Sequence, residues 1–109
     1  MPTVVIAQPI AIGDLDKAII RRYIKRATEK LAYCYEKQLL GKPKLEGTIT
    51  AHFLIGVDGK VTSADADGMD PAVASCVASV IKEIEFPSVP NGGAVQVNYP
   101  FTFHTTEHK

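Results

Sequence analysis

The sequence predicts an α+β domain that runs helix, strand, strand, helix, strand, with a three-stranded antiparallel sheet in the order 2-1-3 and two helices on one face. Three observations lead there. Two stretches, residues 15–40 and the one opened by Asp70-Pro71, carry apolar side chains at helical spacing. Two others, residues 46–56 and 95–103, alternate apolar with polar side chains at the period of a half-buried strand. Between the first of these strands and its return lies Asp58-Gly59, a hairpin signal because both residues tolerate the positive φ that such turns need. At 109 residues the chain fits one domain and has no room for two.

Each element has its own grounds. Residues 3–12 (TVVIAQPIAI) are apolar and β-branched but interrupted by Pro9, which suits either an extended arm or an extra strand laid on a sheet edge. Asp14 is the expected N-cap of the first helix, whose inward face takes Ile20, Tyr23, Ile24, Ala27, Leu31, Cys34 and Leu39, and Gly41 with Pro43 ends it. In the first strand Ile49, Ala51, Phe53 and Ile55 point one way, and Thr48, Thr50, His52 and Leu54 the other. Residues 60–64 form the return strand, and Asp65, Asp67 and Gly68 read as a turn before the cap at Asp70. Val73, Cys76, Val77, Val80, Ile81 and Ile84 stripe the second helix, which Phe86-Pro87 closes. The last strand sets Val95, Val97, Tyr99, Phe101 and Phe103 on its inner face. The division is then an arm at 1–13, a domain at 14–104 and a tail at 105–109.

Cys34 and Cys76 each lie on the apolar face of their own helix. Two buried thiols are the simpler alternative. One cysteine per helix, both facing inward, is what a structural staple requires, and a disulfide places the chain in an oxidising compartment. Their spacing is far too wide for a C-x-x-C redox pair.

Twelve basic residues balance twelve acidic ones, which argues against nucleic acid or an anionic membrane as the main partner. No apolar run is long enough to span a bilayer and no signal peptide is recognisable, while Met1-Pro2 leads straight into strand-like residues. The expectation is a piece near the C-terminal end of a longer protein, attached to a membrane only through that parent. Lys17, Arg21, Arg22, Lys25 and Arg26 crowd the first half of the first helix, either as a solvated face or as a site for an anion. Catalytic patterns are missing. His52, His104 and His108 lack a third ligand for a metal, and the Asp65–Asp70 stretch departs from a calcium loop at Met69 and at its final position. The serines have no nucleophile elbow around them and no phosphate-binding glycine loop is present. The expectation is a binding module with no cofactor and no enzymatic activity.

The run LEGTITAHFLIGVDGKVTSADADG, the helix that follows it, and FPSVPNGGAVQVNYPFTF resemble the C-terminal domain of TonB-family energy transducers. Cys34-Tyr35-Glu36 together with Cys76 resembles one branch, the AgmX/PglI C-terminal domain of gliding myxobacteria. The likeness spans residues 14–104. It implies a periplasmic domain of an inner-membrane-anchored protein that takes an extended peptide onto the edge of its last strand, where main-chain hydrogen bonds give affinity. Carried onto this chain, the partner-binding residues are Ala94, Val95, Gln96, Val97, Asn98, Tyr99 and Phe101. The usual Tyr-Pro before the sheet is replaced by Cys34-Tyr35-Glu36 and the Trp near the end of the second helix is absent, which moves the expected partner towards another envelope component, as in a gliding or secretion machine. A structural or oligomerisation domain is the alternative, with the arm pairing to a second copy of the chain in a homodimer.

Overall fold

Alternation in the two long strands dictates a sheet with one dry face, and the computed structural model, which describes residues 2–13, 15–88 and 93–105, has that sheet. The chain runs β1 (Pro2–Ile6), β2 (Ile10–Ile12), α1 (Lys17–Lys25), α2 (Thr28–Leu39), β3 (Gly47–Ile55), β4 (Val61–Gly68), α3 (Pro71–Lys82) and β5 (Val95–Thr105). All strand pairings are antiparallel. Ile49 and Ile55 of β3, and Val95, Val97, Tyr99, Phe101 and Phe103 of β5, are completely buried beneath the helices, and Ala51 and Phe53 nearly so. Each large side chain removed from water in this way contributes on the order of 2 kcal/mol, so the alternating faces hold the layers together.

The three-stranded sheet is a correction. The described residues form five strands in the order β1-β5-β3-β4, with β2 also paired to β5. Both segments of the arm are therefore strands of the sheet: Pro2–Ile6 pair with Phe101–Thr105, and Ile10–Ile12 with Gln96–Asn98. Of the two readings of residues 3–12, the added strand is the one observed. Its cause is the exposed ladder of β5, whose unpaired N–H and C=O groups accept any β-prone segment within reach.

A single helix over residues 15–40 is also corrected. The helix breaks at Arg26–Ala27, where Ala27 N–H bonds Ile24 O over three residues and the Thr28 hydroxyl donates to Lys25 O at 2.6 Å. A threonine hydroxyl that takes a carbonyl of the preceding turn competes with the helical ladder and bends the chain. Asp14 lies outside the described residues. The cap of α1 is Asp16, whose side chain accepts from Ala18 N–H at 2.8 Å. Leu15 before it and Ile20 after it both enter the core, as in a hydrophobic staple.

Asp65, Asp67 and Gly68 are the last part of β4 and not a turn. Pairing with β3 overrides the low strand propensity of aspartate, and the two carboxylates project from the open face. The hairpin turn is where Asp58-Gly59 places it. Gly56 N–H bonds Lys60 O, and Asp58 Oδ1 accepts from Lys60 N–H. Gly59 sits at φ +88°, and a Cβ there would come within 1.9 Å of Phe86 O. Phe86 N–H bonds Gly59 O at 2.8 Å, so the turn and the end of the α3 segment clasp each other in a space only glycine fits.

The α3 start is as expected. Asp70 accepts from Ala72 N–H at 2.8 Å and Val73 N–H at 3.0 Å, and Pro71 occupies the first turn. Asp70 is 3% exposed and also takes the Lys42 ammonium at 2.5 Å, which ties the loop after α2 to the head of α3. Lys42 is the largest cause that holds the Asp70 carboxyl below its ordinary range, followed by the Val73 amide. Further along, Cys34 of α2 and Cys76 of α3 are joined in a disulfide with Cα atoms 5.6 Å apart. Tyr35 adds a third tie by donating its hydroxyl to Leu45 O.

Candidate partner-binding surface

The residues marked for partner contact do not share one surface. Val95, Val97, Tyr99 and Phe101 are completely buried in the core, Ala94 and Gln96 are exposed, and Asn98 is half-buried on the open face of the sheet. What they share is the β5 backbone. That backbone is not an edge, because β3 pairs along one side and β1 and β2 along the other. The free recipient edge expected over residues 94–103 is thus filled by the chain's own arm.

The filling is uneven. Ile6 pairs with Phe101 and Ile10 with Asn98, so Ala7–Pro9 bridges a step of three positions in β5 with one residue in excess. Pro9 lies in the arm at this interruption and Pro100 in β5 opposite it, and neither can donate a backbone N–H. Val5, Ile10 and Ile12 are exposed at 48%, 63% and 70%, so the arm buries few side chains: Ile6 and Pro9 are buried and Val4 and Ala11 partly so. The other margin of the sheet is β4, guarded by exposed Asp65 and Asp67 in the way edge strands commonly deter pairing.

Across the middle of the open face runs a polar row that sequence reasoning missed. His52 stands between Asn98 on β5 and Asp65 on β4 in register. Its Nδ1 donates to Asn98 Oδ1 at 2.7 Å, and its Nε2 lies 3.6 Å from Asp67 Oδ2. The Asn98 bond raises the imidazole pKa most, burial opposes it, and the carboxylates of Asp65 and Asp67 raise it further. Protonation gives Nε2 a hydrogen to donate to Asp67, so the row is tighter in acid. Beside it Leu54, Gln96 and Ile12 form a second cross-strand row, which gives the face mixed apolar and polar character. The sequence assigns His52 no partner because nothing local in it reveals which residue of a distant strand stands opposite.

Among the described residues no group of three or more His, Cys, Asp or Glu side chains is placed to hold a metal ion. His104 lies near the end of β5, paired with Thr3, and His108 lies outside the described residues. Among the described residues the buried Tyr99 hydroxyl has no hydrogen-bond partner, and burial, partly offset by Arg21, pushes its pKa to about 12. Among the described residues no helix is long and apolar enough to cross a membrane. Comparison of the chain with protein-family models, with characterised proteins and with solved structures finds no match.

Proposed function

We propose that this chain is a periplasmic protein-binding module, the C-terminal part of a longer inner-membrane-anchored protein, and that it docks an envelope protein or extended peptide by strand addition to β5. Its setting would be energy transduction or gliding motility, with no catalysis and no cofactor. The observation that carries the proposal is the arm: five residues of β1 and three of β2 already occupy the outer side of β5 as antiparallel strands. An incoming strand has a template for the same main-chain bonds and has only to replace a short, interrupted, sparsely buried segment. The Cys34–Cys76 disulfide supports an oxidising compartment, since such bonds persist outside the reducing cytosol.

Extended peptides from envelope partners, titrated into ¹⁵N-labelled protein, test this. Gln96, Val97 and Asn98 should shift together with Val4, Val5 and Ala11 as the arm is displaced. If these amides stay still with every envelope peptide, strand addition at β5 is wrong. The same arm favours a second reading, a structural or oligomerisation domain in which β1 and β2 cross to a neighbouring copy. Sedimentation at high concentration separates the two, because a strict monomer excludes the exchange.

A further inference from the structure

Among the described residues the three cations on one strip of α1 form no ion pair. Ala18, Arg21, Arg22 and Lys25 follow the i, i+3, i+4, i+7 spacing of a single helix face, and with Gln8 of the β1–β2 connection they line a cleft of about 420 Å³. We propose that this cleft binds a phosphoryl group.

The strip is a local imbalance in a chain whose charges cancel overall, twelve against twelve. Neighbouring Arg26 has a partner in the ring of Tyr23, 4.4 Å below its guanidinium. Arg21 spends its Nε on Ile6 O at 3.3 Å, which orients the guanidinium and leaves its terminal N–H groups. Among the described residues neither Arg21, Arg22 nor Lys25 forms an ion pair. Arg21 and Lys25 stand at i, i+4, and Arg22 and Lys25 at i, i+3, so they repel each other and destabilise the helix until an anion enters. A phosphoryl dianion offsets two of the three charges where a carboxylate offsets one, and it offers the oxygens that guanidinium groups bind in pairs. Gln8 supplies a neutral amide from the opposite wall. Because Gln8 belongs to the arm, occupancy also ties the arm to α1.

The probe is inorganic phosphate, titrated into the whole ¹⁵N-labelled chain with ionic strength held constant by chloride. The amides of Gln8, Ala18, Arg21, Arg22 and Lys25 should move along a saturable curve, and R22Q/K25Q should weaken the midpoint about tenfold or more with little change in melting temperature. Gln8→Ala, on the other wall, serves as the second variant should R22Q/K25Q fail to fold, and it too should weaken binding. A parallel arm measures co-sedimentation with phosphatidylcholine vesicles that contain or lack phosphatidic acid. Saturation by free phosphate assigns the site to a soluble anion. Binding to phosphatidic-acid vesicles alone, lost in the variants, assigns it to a lipid headgroup. Shifts that chloride reproduces, or binding that the variants leave unchanged, overturn the proposal.

Discussion

Reduction of the Cys34–Cys76 bond should remove a large share of this domain's stability. The bridge spans 42 residues and links α2 to α3. Loop-closure entropy for that span corresponds to about 4 kcal/mol near room temperature, provided the effect acts through the unfolded chain. Against a typical total of about 5–15 kcal/mol the loss is severe, and for a chain of this size it corresponds to a fall in melting temperature of roughly 15–20 °C. Urea unfolding of the oxidised chain against the same chain in excess phosphine reads the difference directly. Because the bridge restricts the unfolded ensemble, the oxidised form should also show the smaller slope with denaturant. A loss below about 1 kcal/mol with unchanged slope would refute the entropic reasoning and show that the ties at Asp70 and Tyr35 hold the helices by themselves.

Three further outcomes follow from single side chains. Asp70→Ala removes both the α3 cap and the Lys42 contact and should cost about 2 kcal/mol in denaturant unfolding, while Asp70→Asn keeps a cap and costs about half as much. The Asp70 carboxyl is held below its ordinary value, so its contribution is present above the unfolded pKa and fades as pH falls through the lower folded value; in Asp70→Asn the acid limb of stability against pH should flatten. For His52 the sign reverses: its folded pKa is raised, so the increment is complete below the unfolded value of about 6.5 and disappears as pH rises through the folded one, and NMR titration of the ring should show a midpoint above that of a free imidazole. Tyr99→Phe deletes a buried hydroxyl that has no partner among the described residues, so it should be neutral or stabilise the fold by up to about 1 kcal/mol, and a clear loss of stability would reveal a hidden hydrogen bond.

What could be read in advance was whatever local chemistry decides. The alternation of Ile49 to Ile55 and of Val95 to Phe103 identified every inward-facing residue of β3 and β5 over those runs, because burial on one face leaves a pattern of period two. Asp70-Pro71 located a helix start to the residue because the cap is a contact between near neighbours. Cys34 and Cys76 could be paired because each already had an inward face to lie on. The misses involve longer reach or competition between neighbours. Thr28 looked like one more helical residue until its hydroxyl took Lys25 O, and Asp65 and Asp67 became strand only because β3 lies alongside. Residues 2–12 carried strand propensity but no indication of where they would pair, and that one assignment decides whether β5 is an edge. His52 and Asn98 are 46 positions apart, and only the β3–β5 register brings them together.

Backbone hydrogen exchange on the isolated chain tests most directly whether the outer side of β5 is held by a displaceable strand. Amides of β1 and β2 that face β5 should exchange through local opening, at a free energy well below that of Ala51 and Phe53 in β3, whose protection reports global unfolding. Arm amides protected as strongly as those of β3 would mean that the segment never leaves, that β5 is never vacant, and that strand addition there has no route.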